Sequence, residues 1–328
     1  MDIAGWLWAL TIVGLLGLLA FDFFMHVRKA HIPTLKESAL WSAGYVGVAV
    51  LFGVGVFVFG GVDPGSEYFA GYVTEKALSV DNLFVFLVIM ASFRVPRADQ
   101  QKVLLFGIVM ALAARTGFIL LGAALINRFA WVFYFFGLLL LLAAGNMLRS
   151  GSAEEAHRAP DVIVGLVKKV VRTSERYDGD RLFTRIDGRW AITPMVLVML
   201  AIAGTDVLFA LDSIPAIFGL TQNSYLVFTA TAFSLLGLRQ LYFLIDGLLD
   251  RLVYLSYGLA VILGFIGVKL IMHAMHEQGA GGIEIGTGPS LLVIVGVLTG
   301  TVIASLRHRR KAPDATRSDT DPGLVLRR

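Results

Sequence analysis

Polar positions are so sparse along this chain that its apolar runs set the outline. Such runs lie at 3–21, 39–60, 69–92, 103–126, 130–148, 194–217, 225–245, 253–272 and 289–306. Each is near the roughly 20 residues that a helix needs to cross a bilayer. The pattern predicts an all-α membrane protein with about nine transmembrane helices. No basic residue precedes the first run and polar residues follow it directly, so it reads as a retained helix and not a cleaved signal. A composition of 57% hydrophobic and 16% charged residues excludes an ordinary soluble globule. The chain has no cysteine, which removes disulfides, thiolate metal sites and thiol redox chemistry.

Charge in the loops alternates as nine crossings require. Arg28, Lys29 and Lys36, then Arg94, Arg97 and Lys102, then nine Lys or Arg between 149 and 190, then Arg251, then Arg307, Arg309, Arg310 and Lys311 fall on one side. The positive-inside rule makes that side the cytoplasm. The N-terminus is then expected outside and the C-terminus inside. The net charge of +4 reports this orientation and no nucleic-acid partner. An N-terminus unlike a transit peptide favours a bacterial inner membrane.

Two of the runs carry acids where lipid should forbid them. Glu75-Lys76-Ala77-Leu78-Ser79-Val80-Asp81-Asn82-Leu83 has an acid, five residues, a second acid, a small polar residue and an aliphatic one. Asp206 to Ile214 repeats that order with Asp206, Asp212, Ser213 and Ile214. Each run is followed by another carrying one arginine, Arg115 or Arg239. A carboxylate at mid-bilayer costs roughly 2.5–3.5 kcal/mol on insertion scales, so these acids must be paired, hydrated or bound to a cation. The two acidic runs are the third and sixth crossings, so they traverse in opposite senses, and spans 3–5 and 6–8 are expected to form an inverted repeat of three helices. The chain then divides into a two-helix extension (1–68), a first repeat (69–148), a basic cytoplasmic connector (149–192), a second repeat (193–272), an extracytoplasmic loop with the ninth helix (273–311) and a disordered cytoplasmic tail (312–328). Within the connector, Val162 to Val171 is amphipathic, and the alternation of Arg181 to Ile186 before Asp187-Gly188 suggests a short hairpin.

Residues six apart on a helix are about 120° and about 9 Å apart, so the two acids of one run do not share a face. The shared stripe is Glu75, Ser79 and Asn82 in one run and Asp206, Ala210 and Ser213 in the other, with Asp81 and Asp212 at the border. For both acids to reach one ion, either the helix is interrupted or the ion has two stations. Pro215 favours interruption, since it lacks the N–H that would bond the Leu211 carbonyl. Four carboxylates against Arg115 and Arg239 leave a charge that one divalent cation cancels. Carboxylate, amide and hydroxyl oxygens suit Mn²⁺, Mg²⁺ or Ca²⁺, and desolvated carboxylates also take up protons. Buried ion pairs that only fix helix packing are the other reading of the same residues. Asp22, His26 and His31 read as solvated residues after the first span, and Glu37 with Trp41 as an interfacial anchor. No P-loop, Ser/His/Asp series or His-Glu-x-x-His motif is present, and an enzyme is not expected.

These stretches, with Thr205 to Ile217, Leu236 to Phe243 and Phe265 to Lys269, resemble the TerC integral membrane family of the lysine-exporter superfamily, over about residues 10–306. Members are multi-spanning proteins linked to tellurium resistance, and some export manganese. The resemblance implies export of a divalent cation, Mn²⁺ first, with Asp81, Asp206 and Asp212 as ligands alongside Glu75 and Asn82. Ser213 is added from the stripe, and Arg115 and Arg239 balance charge. No resident cofactor is expected, the cation being substrate. The expected partners are the bilayer, the metal ion and protons. The alternative is a scaffold for membrane-protein insertion or a tellurium-resistance complex, docking through 149–192.

Overall fold

The computed structural model describes residues 3–27, 33–129, 131–149, 173–174, 177–179, 181–186, 189–245, 254–278 and 285–311. The amphipathic piece at 162–171, the Asp187-Gly188 turn, His31 and the tail at 312–328 lie outside the described residues.

The protein is an all-α membrane protein with one small strand pair. Its helices are α1 (Gly5–Asp22, continued by a π-helical turn at Phe23–Val27), α2 (Leu35–Gly60), α3 (Val62–Ser92) and α4 (Arg97–Arg128). They continue with α5 (Val132–Arg149), α6 (Pro194–Phe218), α7 (Ser224–Leu235), α8 (Leu238–Ile245), α9 (Leu255–Glu277) and α10 (Thr287–Lys311). Among the described residues eight segments are long and apolar enough to cross a membrane, with α7 and α8 counting as one. The ninth expected span is α3, whose 31 residues are ample but carry Glu75, Lys76 and Asp81 in their middle.

Local chemistry sets several boundaries. Thr34 Oγ1 accepts from the Glu37 backbone N–H while the Glu37 carboxylate accepts from the Thr34 backbone N–H, a reciprocal cap that starts α2. The residue read as an interfacial anchor is thus a helix cap. Gly61, at φ +97°, turns the chain from α2 into α3, a conformation that costs glycine little. Pro194 opens α6, where its missing N–H is harmless. The strands β1 (Phe183–Ile186) and β2 (Arg189–Ile192) pair antiparallel, as the alternation predicts, with the Arg185 guanidinium 4.7 Å from the Trp190 ring centre.

α3 packs chiefly on α7, and α4 on α6, while α2 and α10 cover α3. The apolar part of α7–α8 is 89% buried, against 11%, 17% and 17% for α1, α2 and α10. The latter three therefore present most of their surface to lipid. α5 meets α9 backbone to backbone at Gly137 and Gly267, the close approach that small residues permit between membrane helices.

The packed interior is two apolar clusters. One takes Tyr68 to Leu78 of α3, Ile119 and Ile126 of α4, Ala210 to Phe218 of α6 and Tyr225 to Phe233 of α7. The other takes Leu83 to Met90, Val103 to Ala111, Met195 to Ile202, and Leu235 with Leu238 and Tyr242. Arg115 of α4 and Asp206 of α6 fall in the gap between the two clusters, as does Asp81 of α3, and Ser234 lies at the matching level of α7. The fold thus holds a layer of buried polar side chains where the two apolar clusters meet.

Candidate functional site

The layer is centred on Arg115, which is 1% exposed and reaches two acids from different helices. Its Nε and NH2 donate to the two oxygens of Asp206 at 3.3 Å each, a planar fork that lysine could not reproduce. Its NH1 donates to Ser213 Oγ at 3.1 Å and pairs with the carboxylate of Glu75. Glu75 and Asp206 are 0% and 2% exposed, so both charges are held away from water by one guanidinium. Two carboxylates against one cation leave a local charge of minus one.

Three members of the stripe read from spacing, Glu75, Asp206 and Ser213, meet at Arg115. Glu75 comes from α3, Asp206 and Ser213 come from α6 two turns apart, and Ser79, one turn beyond Glu75, is buried with its hydroxyl making no hydrogen bond. Asn82 of the stripe and the two border residues do not join Arg115. Asp81 accepts from Ser256 Oγ of α9 at 3.1 Å, Asn82 is buried beside it on α3, and the half-buried Asp212 is engaged elsewhere. Among the described residues no three His, Asp or Glu side chains converge to hold a metal ion. The four acids are thus not gathered round one point.

Two expectations are corrected. α6 runs unbroken through Pro215, which lies in its last turn and removes one hydrogen bond without ending the helix. The break falls instead between α7 and α8: Leu236 is extended and Gly237 takes φ +75°. Arg239 does not balance the central acids either. Its NH2 donates to Asp22 Oδ1 at 2.7 Å and its NH1 to Gln101 Oε1 at 2.6 Å, because α8 lies beyond the break, towards the end of the bundle where α1 ends and α4 begins. Asp22 Oδ1 also accepts from Tyr45 OH and Gln240 Nε2 at 2.8 Å each, so Asp22 is a buried anion and not a solvated flank.

Lys76, adjacent to Glu75, points away from Arg115 and donates to the carbonyls of Ser234 and Leu236 at 2.9 and 3.3 Å. The charge sum drawn from the sequence leaves Lys76 out, although a lysine beside a mid-span acid is itself a signal. A cavity of about 240 Å³ opens at the bundle end where α3 begins, lined by Glu67, Thr221, Gln222, Lys269 and His273 among others. There Thr221 Oγ1 donates to Glu67 at 2.5 Å, and Gln222 Nε2 lies 2.9 Å from His273 Nε2.

Comparison with known proteins matches this arrangement to a family. Residues 61–312 match the family described as Integral membrane protein TerC family. An uncharacterized membrane protein of Mycobacterium tuberculosis is 59% identical over 324 residues, covering 94% of this chain and 81% of its own. A thylakoid membrane protein TERC of Arabidopsis thaliana is 40% identical over 276 residues, covering 84% and 70%. A membrane protein of Myxococcus xanthus is 37% identical over 319 residues, covering 97% of each chain. No solved structure matches. The chain is a member of the TerC family of integral membrane proteins.

Proposed function

We propose that the protein is a secondary transporter that exports a divalent metal cation, Mn²⁺ first, in exchange for protons. The observation that carries this reading is the pair of fully buried carboxylates, Glu75 and Asp206, held by Arg115 alone. A divalent ion taking the guanidinium's place brings the local sum from minus one to zero. Arg115 then acts as a tethered competitor, seated between the acids when substrate is absent and displaced when it binds. Oxygens of Glu75, Asp206, Ser79 and Ser213 form a hard donor set that suits Mn²⁺ or Mg²⁺. With the metal gone, protons entering the same site are the counter-ion of the exchange.

Packing supports alternating access by two inverted halves. The first helix of each half lies on the second helix of the other, α3 on α7 and α6 on α4, the exchange that a twofold axis in the membrane plane produces. Loop charge puts the bundle end bearing the β1–β2 pair in the cytoplasm of a bacterial cell and the 240 Å³ cavity at the outer mouth.

The test is cellular manganese, by elemental analysis under Mn²⁺ stress in cells lacking manganese exporters. Wild type should lower it, and Glu75→Gln and Asp206→Asn, at equal membrane levels, should not. Both variants exporting as well as wild type refutes the site.

A further inference from the structure

We infer that the C-terminal end of α7 is a monovalent-cation site, and that the chain fills it with its own ammonium, that of Lys76. The span that begins at Ser224 stops being helical at Leu236, which has φ −61° and ψ 135°, and turns at Gly237 before α8 resumes at Leu238. The interruption frees the last carbonyls of α7 inside the bundle, on residues at most 4% exposed. Two of these, on Ser234 and Leu236, accept from Lys76 Nζ. Thr231, one turn before Ser234, is 1% exposed with a hydroxyl that makes no hydrogen bond.

The chemistry of this cradle is distinctive. The acceptors of the ammonium are neutral main-chain oxygens at the negative end of a helix dipole, and Glu75, the acid next to it in sequence, is committed to Arg115. Converging carbonyls replace the hydration shell of alkali ions in channels, and interrupted helices hold coupling ions in transporters. Lys76 supplies the same single positive charge from a tether. The protein therefore needs no alkali ion to hold the break together, and removing the ammonium turns the cradle into a site for Na⁺ or K⁺. This site is separate from the one around Arg115 and does not depend on the transport reading.

The experiment uses the full-length protein in detergent at neutral pH, with thermal unfolding followed in choline, sodium and potassium chloride at equal ionic strength. Lys76→Met removes the charge, and its flexible unbranched end can turn aside and leave the two carbonyls open to an ion. Its midpoint should fall in choline, and sodium or potassium should restore at least half of the loss. Wild type and Lys76→Arg should have one midpoint in all three salts. The inference is overturned if Lys76→Met is indifferent to the salt or folds in none of them. It is equally overturned if wild type or Lys76→Arg responds as strongly as Lys76→Met.

Discussion

Replacing Arg115 with methionine isolates what one guanidinium does for two buried acids. The variant keeps most of the side-chain volume and removes the cation from between Glu75 and Asp206, both at most 2% exposed. Breaking a buried ion pair costs about 3–5 kcal/mol, because the remaining charge stays desolvated. The lost hydrogen bond to Ser213 adds about 1 kcal/mol. At about 2 °C per kcal/mol for a chain of this size, the total of about 4–6 kcal/mol lowers the unfolding midpoint by roughly 8–12 °C. Adding Glu75→Gln removes the like-charge repulsion, so the double variant should melt at least about 5 °C above the single one. Mn²⁺ at 100 times its Kd contributes about 2.7 kcal/mol, which would return about 5 °C to Arg115→Met and nothing to the double variant. The assay is thermal unfolding in detergent, with and without Mn²⁺. An unchanged midpoint in Arg115→Met, or a double variant no more stable than the single, refutes the account of the ion pairs. Indifference of Arg115→Met to Mn²⁺ refutes the tethered-competitor mechanism.

Other expectations follow from single contacts. Asp22→Ala strands the buried Arg239 and should cost about 3–5 kcal/mol, whereas Tyr45→Phe loses one hydrogen bond to the same carboxylate and should cost about 1 kcal/mol; chemical unfolding of both, side by side, checks the ratio. Gly237→Ala forces a side chain into φ +75° and sets its Cβ 2.9 Å from that of Tyr45, for a loss of about 2–4 kcal/mol read by the same measurement. Gly137→Ala brings its Cβ 2.8 Å from the Gly267 carbonyl oxygen and should cost about 1–3 kcal/mol, while Gly145→Ala on the same helix meets nothing within 4 Å and should be silent; protease sensitivity of the two proteins in detergent distinguishes them.

Where the sequence was legible, a local physical rule was at work. Run length located the membrane crossings, since 20 apolar residues have few other uses, and the 3.6-residue period grouped Glu75 and Ser79, and Asp206 with Ser213, on their respective faces. It also separated Asp81 and Asp212 from them. The partners of charged groups were not legible, because pairing depends on how helices meet. Asp22 looked like a polar flank at the end of an apolar run, and its partner lies 217 residues away. Arg239 was matched to the central acids by its order in the repeat, but the break at Gly237 directs α8 elsewhere. Pro215 drew attention as the strongest helix breaker present, yet near a helix end its cost is small, and a glycine at positive φ made the interruption that matters.

The separation between Asp22 and Arg239 also bears on how the protein is made. α1 leaves the ribosome well before α8, and its buried carboxylate is anchored by a residue from that later helix. At about 5–20 residues per second, translation takes roughly 10–40 s to cover that interval. For all of that time Asp22 lacks the arginine that holds it in the finished fold. α1 therefore meets its last partners late, and a chain truncated before α8 keeps the Tyr45 hydrogen bond to Asp22 but lacks those from Arg239 and Gln240.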